Sequence, residues 1–173
     1  MTADPQPMTV VSVELTVNGV KHTVSSAPWC SLATLLRTEL ELPGTKVGCD
    51  QGMCGTCTVL VDGEPARACL MLAAQAHGSV IETVESLSSG GALGRLQQEF
   101  GRAHALQCGF CTPGFLMLST ALLRREPAPC RQRIREYLSA NLCRCTGYTP
   151  IIDAVAAAAI PAADAAPEPK EPS

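Results

Sequence analysis

The sequence predicts an α+β chain of two small domains, with a strand-rich N-terminal half and a helical C-terminal half. Near the start, apolar residues alternate with polar ones from Val11 to Val17, which is the period of a half-buried strand. Beyond residue 90 the apolar residues recur every three to four positions, as in amphipathic helices. Eight of the ten cysteines form two groups of four, one in each half. We therefore expect one thiolate site per domain.

The first predicted domain covers residues 9–87 and follows a flexible lead-in over residues 1–8. Its opening strand runs into Asn18-Gly19, a dipeptide that favours tight hairpin turns because both positions tolerate positive φ. Leucines at helical spacing then predict an amphipathic helix packed on that hairpin. The predicted elements are strands over 11–17, 20–24, 58–61 and 80–84 and a helix over 31–40.

The second predicted domain covers residues 88–160. It begins at Ser88-Ser89-Gly90-Gly91, the clearest composition break in the chain. Four apolar repeats at helical spacing follow and predict a four-helix bundle. Residues 161–173 are rich in proline, alanine and acidic residues and are expected to be disordered. The repeats are marked by Leu93, Leu96 and Phe100, by Phe115, Leu118 and Leu122, by Ile134, Tyr137 and Leu138, and by Ile151, Val155 and Ala159.

The first cysteine group has the spacing Cys-x4-Cys-x2-Cys with a fourth cysteine further on. This spacing is typical of plant-type [2Fe–2S] clusters, whereas four-cysteine zinc sites usually combine two Cys-x2-Cys knuckles. Zinc is the alternative that the residues leave open. The predicted ligands are Cys49, Cys54, Cys57 and Cys69.

Three glycines lie within the first cysteine group, Gly48, Gly52 and Gly55. A loop that wraps closely around a cluster needs backbone conformations that side chains resist, which glycine allows. Amide groups exposed in such a loop can donate hydrogen bonds to cluster sulfurs and tune the redox potential. We therefore predict that these glycines contribute to cofactor binding.

The second cysteine group combines Cys-x2-Cys with Cys-x-Cys. Neither zinc nor an iron–sulfur cluster is bound by two thiolates alone, so the two pairs are predicted to supply the ligands of one site together. A threonine cap followed by proline, at Thr112-Pro113 and Thr149-Pro150, predicts that both pairs lie near helix N-termini, where anions are favoured. Zinc again remains the minor alternative, and none of the three histidines is placed for a Rieske centre. The predicted ligands are Cys108, Cys111, Cys143 and Cys145.

Composition bounds the remaining function classes. A net charge of -3 argues against a nucleic-acid surface, and no apolar run approaches membrane-spanning length. Ten cysteines without a secretory signal predict a reducing compartment, with the cytoplasm as the default. The sequence contains no dinucleotide-binding fingerprint, P-loop or catalytic triad. These features predict a one-electron relay whose substrate chemistry takes place on another chain.

Three stretches resemble the small iron–sulfur subunit of the molybdenum hydroxylases, the family of xanthine oxidase and bacterial carbon monoxide dehydrogenase. They are Gly48-Cys-Asp-Gln-Gly-Met-Cys-Gly-Thr-Cys57, Gln107-Cys-Gly-Phe-Cys-Thr-Pro-Gly114 and Asn141-Leu-Cys-Arg-Cys-Thr-Gly-Tyr148. The resemblance implies a ferredoxin-like β-grasp domain and a helical domain, each carrying a [2Fe–2S] cluster.

The same resemblance implies two partner chains. A large catalytic subunit would bind molybdopterin, in its cytosine dinucleotide form, and a medium subunit would bind FAD. The helical-domain cluster would lie next to the molybdopterin, with Gln107 hydrogen-bonded to the pterin and Cys145 as the ligand that contacts it. The other cluster would pass electrons toward FAD.

Some features lie outside this pattern. Cys30 and Cys130 lack partners at ligand spacing and are predicted not to bind metal. Six arginines between residues 124 and 144 make a basic stretch, which we interpret mainly as a solvated helix face. Two other functions remain open, a free-standing electron carrier and a zinc-stapled interaction module.

Overall fold

The computed structural model describes residues 9–159. The predicted lead-in over residues 1–8 and the predicted disordered tail over residues 161–173 lie outside the described residues. Within residues 9–159, no helix is both long enough and apolar enough to cross a membrane.

The N-terminal half forms a five-stranded mixed sheet in the order β2-β1-β5-β3-β4. β1 pairs antiparallel with β2 and parallel with β5, while β3 pairs antiparallel with both β4 and β5. The predicted strands are confirmed, although β5 ends two residues early because the chain turns into a 3-10 helix over Val84–Leu87. The strands are β1 (Val11–Val17), β2 (Val20–Ser26), β3 (Thr58–Val61), β4 (Glu64–Arg67) and β5 (Val80–Glu82).

One helical segment packs on the sheet, as predicted, but it is not a uniform α-helix. It begins as α1 (Leu32–Thr34), capped by the Ser31 hydroxyl, which accepts a hydrogen bond from the Thr34 N–H at 3.1 Å. It continues as a π-helix over Leu35–Glu39 and closes with a hydrogen bond from the Leu40 N–H to the Leu35 carbonyl at 3.2 Å. The wider turn still buries the leucines against the sheet.

The C-terminal half contains the four predicted helices, which enclose a second hydrophobic core around Phe100, Phe115 and Ile134. Their arrangement as a four-helix bundle stays a prediction. Cys130 is the N-terminal cap of the helix over Arg131–Leu138, as the sequence predicts, and its side chain makes no capping hydrogen bond. The helices are α2 (Arg95–Arg102), α3 (Thr112–Arg125), α4 (Arg131–Leu138) and α5 (Thr149–Ala158).

Two helix starts differ by one residue from the prediction. The Cys111 carbonyl accepts a helical hydrogen bond from the Phe115 N–H, so Cys111 rather than Thr112 is the cap of α3. Likewise the Tyr148 carbonyl accepts from the Ile152 N–H, and Tyr148 caps α5. The threonines are therefore the first helical residues. The prediction that both cysteine pairs lie near helix starts is confirmed.

The two halves pack directly on each other. Leu60 of β3 shares a small buried core with Met117 and Ala121 of α3, and Val84 and Leu87 pack against it. The segment at the predicted domain boundary forms a two-stranded hairpin, β6 (Ser88–Ser89) and β7 (Ala92–Leu93). The domain limits of 9–87 and 88–160 stay a prediction.

Ion pairs account for most of the basic stretch. Arg124 makes a two-armed pair with Glu82 of β5, at 2.6 and 2.7 Å. Arg125 pairs with Glu64 of β4 at 2.7 Å. These two pairs join α3 to the sheet, so part of the stretch binds within the chain rather than being merely a solvated face. Within the helical half, Arg131 pairs with Asp153 and Arg133 with Glu126.

Candidate metal centres

The first cysteine group lies on one loop and the strand end that faces it. Cys49, Cys54 and Cys57 lie between the π-helix and β3, and Cys69 follows β4. Their thiols adjoin in two pairs, Cys49 with Cys54 and Cys57 with Cys69. Sequence spacing and the β3–β4 hairpin thus bring all four predicted side chains to one place.

Backbone amides prepare one of these thiols for metal binding. The N–H groups of Cys54 and Gln51 donate to the Cys49 sulfur at 3.3 and 3.4 Å. These hydrogen bonds lower the pKa of Cys49 to about 7. Burial instead raises the pKa of Cys57 to about 11, so this thiol must lose its proton when metal binds. The site therefore has one thiol that loses its proton near neutral pH, Cys49, and one that keeps its proton until metal binds, Cys57.

The three glycines of this loop serve different purposes. Gly52 and Gly55 have φ of +72° and +73°, as expected for a loop that side chains would strain. Gly48 does not have positive φ; a Cβ there would lie 3.1 Å from the Thr56 hydroxyl and 3.2 Å from the Phe110 ring. Gly48 is thus a point of close approach between the loop and the helical half.

The second cysteine group joins the turn before α3 to the loop before α5. The sulfurs of Cys108 and Cys145 are 3.6 Å apart, and Cys111 adjoins Cys143. Cys108 and Cys145 are exposed, whereas Cys143 is buried. The Tyr148 hydroxyl accepts a hydrogen bond from the Cys143 N–H at 3.0 Å, which ties the loop to the start of α5.

The second group also contains one thiol with a raised pKa and one thiol with a lowered pKa. Burial raises the pKa of Cys111 to about 12. Burial also acts to raise the pKa of Cys143, but hydrogen bonds outweigh it and leave that pKa below its ordinary value. The Thr146 hydroxyl and N–H supply these bonds at 3.1 and 3.4 Å from the sulfur. Sequence reasoning missed Thr146; its place directly after Cys145 was the available signal.

The donor geometry fits a two-iron cluster at each site. Each iron of a [2Fe–2S] cluster binds two protein ligands, so the four cysteine thiolates of a site form two pairs. Zinc would instead draw four ligands around one ion. The paired sulfurs therefore suit the cluster better than the zinc alternative.

The segments that carry the two cysteine groups are in direct contact. The N–H of Leu142, next to Cys143, donates to the carbonyl of Cys54 at 2.8 Å. Gly114 in the first turn of α3 lies against Gly55, where a Cβ would come within 2.5 Å of the Gly55 carbonyl. These contacts were not predicted, because they join segments far apart in the sequence.

Family models match both halves of the chain. A 2Fe-2S iron–sulfur cluster binding domain matches residues 15–81, and a [2Fe-2S] binding domain matches residues 83–156. The nicotine 6-hydroxylase small subunit of Paenarthrobacter nicotinovorans is 52% identical over 151 residues, which cover 87% of this chain and 91% of that protein. The xanthine dehydrogenase iron–sulfur-binding subunit of Escherichia coli O157:H7 is 46% identical over 84% of this chain and 92% of that protein.

The chain belongs to the small iron–sulfur subunits of the molybdenum hydroxylases. The family resemblance of the cysteine motifs is thereby confirmed, as is the ferredoxin-like first domain followed by a second [2Fe–2S] domain. The chain is an electron-transfer subunit of an oxidoreductase complex and is not its catalytic subunit.

Solved structures agree with this assignment. The crystal structure of quinoline 2-oxidoreductase from Pseudomonas putida 86 contains a chain with 51% identity and a TM-score of 0.84, covering 86% of this subunit and 94% of that chain. The aldehyde oxidoreductase of Desulfovibrio gigas matches with a TM-score of 0.82 at 38% identity, but the match covers only 17% of that chain. The small subunit thus corresponds to one part of a longer polypeptide there.

The close packing around Gly55 can be tested by adding a methyl group. A Cβ at Gly55 would lie 1.9 Å from the Asn141 side-chain oxygen, in addition to the strain of positive φ. Gly55→Ala should therefore lose about 1–3 kcal/mol from overpacking beyond the backbone strain. The measurement is the thermal midpoint of the cluster-loaded subunit. Gly78→Ala is the matched control, because Gly78 has φ of +80° and open space around it. Equal losses in the two variants would contradict this packing.

Proposed function

We propose that the subunit relays single electrons from a molybdopterin centre on a large subunit, through two [2Fe–2S] clusters, to FAD on a medium subunit or to another acceptor. The observation that carries the proposal is that the eight cysteines lie in neighbouring pairs at two sites, whose loops are joined by a backbone hydrogen bond. Such clusters supply one-electron chemistry, which fits a chain that contributes no substrate-binding fingerprint. The substrate is chosen by the large subunit.

The proposed ligands divide by domain. The N-terminal cluster would be held by Cys49, Cys54, Cys57 and Cys69, and the helical-domain cluster by Cys108, Cys111, Cys143 and Cys145. The protein's own part is to fix the sulfurs, limit water and donate hydrogen bonds to them. The donors include the backbone amides at Cys49 and the hydroxyl and N–H of Thr146 at Cys143.

The exposed edge of the helical-domain site gives the relay a direction. Gln107, Cys108 and Cys145 are all exposed, whereas Cys143 is buried beneath them. We assign this edge to the large subunit, with Gln107 hydrogen-bonded to the pterin of molybdopterin cytosine dinucleotide and Cys145 as the contacting ligand. Electrons would then leave through the N-terminal site toward FAD. A cytoplasmic location stays a prediction.

A short backbone path joins the two sites. Leu142, bonded to ligand Cys143, reaches the carbonyl of ligand Cys54 through one hydrogen bond of 2.8 Å. Phe110, between Cys108 and Cys111, lies against Gly48, beside Cys49. Two contacts therefore bridge the ligand loops and support electron transfer between them.

Single serine substitutions should remove one cluster at a time. Cys108→Ser should remove the helical-domain signal in electron paramagnetic resonance (EPR), and iron should fall from about four to about two atoms per chain. Cys49→Ser is the matched variant and should remove the other signal instead. Simultaneous loss of both signals from a folded variant would contradict two independent sites. Wild-type protein with zinc in place of iron would support the zinc module.

The Gln107 assignment predicts slower electron entry. Gln107→Leu should lower the rate at which substrate reduces the clusters by about 10-fold, because it removes a cofactor hydrogen bond. Stopped-flow absorbance of the purified complex measures this rate, and the EPR signal of the Cys49 group should not change. Gln132→Leu, an exposed glutamine on α4, is the control. An unchanged reduction rate in Gln107→Leu would reject the assignment.

Co-purification separates a subunit from a free-standing carrier. The subunit should be isolated with a molybdenum-containing polypeptide, and flavin analysis of the same preparation tests for the FAD chain. A native preparation in which the protein runs alone, without molybdenum or flavin, would instead support the carrier.

A further inference from the structure

A polar network spans the contact between the two ligand loops. Arg67 ends β4, and its guanidinium donates to the Thr58 hydroxyl and to the Ala140 carbonyl, each at 2.5 Å. The Thr58 hydroxyl in turn donates to the Gly55 carbonyl at 2.6 Å. Arg67 therefore joins the start of β3 to the segment after α4, and Thr58 extends this network to Gly55 in the first cysteine loop.

Asn141 completes this network. It is 1% exposed, and its side-chain oxygen lies 3.4 Å from the Thr58 hydroxyl. The same side chain lies on Gly55, which has no room for a Cβ. Its amide nitrogen is buried without a hydrogen-bond partner among residues 9–159. A buried unpaired donor costs stability, so fold stability alone does not account for an asparagine at this position.

Every member of the network is close in sequence to a proposed cluster ligand. Arg67 lies two residues before Cys69, Gly55 directly follows Cys54, and Asn141 lies two residues before Cys143. None of the network's hydrogen bonds involves a cysteine sulfur. The network is thus placed to set the position of one ligand set relative to the other, not to hold either cluster.

We propose that Arg67 and Asn141 are positioning residues that fix the separation and orientation of the two clusters and thereby the rate of electron transfer between them. The inference rests on the two-cluster relay proposed above. In the step concerned, one electron leaves the Cys108–Cys145 site and enters the Cys49–Cys69 site, and no bond forms or breaks. Because electron tunnelling weakens steeply with distance, a small shift between the loops changes this rate.

The test compares Arg67→Met, Asn141→Ala and the double variant with wild type in the purified complex. When both clusters are reduced, their magnetic dipoles split each other's EPR signals at low temperature, and the splitting reports separation and orientation. The rate at which an electron redistributes after a photoreduction pulse is the second readout. Arg131→Met is the matched control, because the Arg131–Asp153 pair lies within the helical half.

The expected result is a changed splitting and redistribution about 10-fold slower in the double variant, because a small misplacement of reacting centres can slow a reaction by about 10- to 100-fold. Iron should stay near four atoms per chain, and the control should match wild type. An unchanged splitting and rate, or iron loss from either site, would overturn the proposal.

Two further checks keep the test decisive. If Arg67→Met does not fold, Arg67→Lys carries the test by the same criteria, because lysine keeps the charge but not the two-armed donor. Wild type lacking two EPR signals would be a failure of the proposed function itself. The wild-type EPR spectrum is recorded before any variant is tested, so failure of the proposed function is distinguished from failure of the positioning role.

Discussion

The constraint on which this fold depends is the gathering of anionic sulfur at close range. The Cys145 thiol donates a hydrogen bond to the Cys108 sulfur at 3.6 Å, which raises the pKa of Cys145, and two thiolates at this distance would repel each other unless a metal neutralised them. The chain meets this constraint in the same way at both sites. Each site has one thiol whose pKa is lowered by hydrogen bonds, Cys49 or Cys143, and one whose pKa burial raises, Cys57 or Cys111. Metal binding must therefore remove the proton of the buried partner.

The sequence was most informative where the chemistry is local. Cysteine spacing gave both ligand groups, because the loop between nearby ligands is short and its length limits their geometry. Strand periodicity placed β1 to the residue, since that strand has one buried face, whereas β3 is buried on both faces and was placed by the Asp62-Gly63 turn that follows it. The helix starts were displaced by one residue because the cap depends on which carbonyl accepts the first bond, not on the residue type alone. The ligand assignments themselves stay predictions.

Contacts between distant segments were not predictable in this way. Nothing in residue spacing shows that Leu142 bonds to Cys54, that Gly114 lies on Gly55, or that Arg124 crosses to Glu82. The π-helix at Leu35–Glu39 was also missed, because the same leucines satisfy an α-helical pattern. Periodicity identifies which face is buried but not which element covers it. The interface between the halves therefore became visible only in three dimensions.

That interface holds the two halves in one arrangement. Ion pairs from α3 to the sheet, the small core around Leu60 and the glycine contacts all join the halves. Two carriers that met by diffusion would have to find this alignment at every electron transfer. A fixed interface removes that orientational search, in the same way that holding reactants in place removes an entropic barrier. In the relay proposed above, the exposed edge at Cys108 and Cys145 is the side open to a partner, and the hydrogen bond from Leu142 to Cys54 keeps the next electron transfer within the chain.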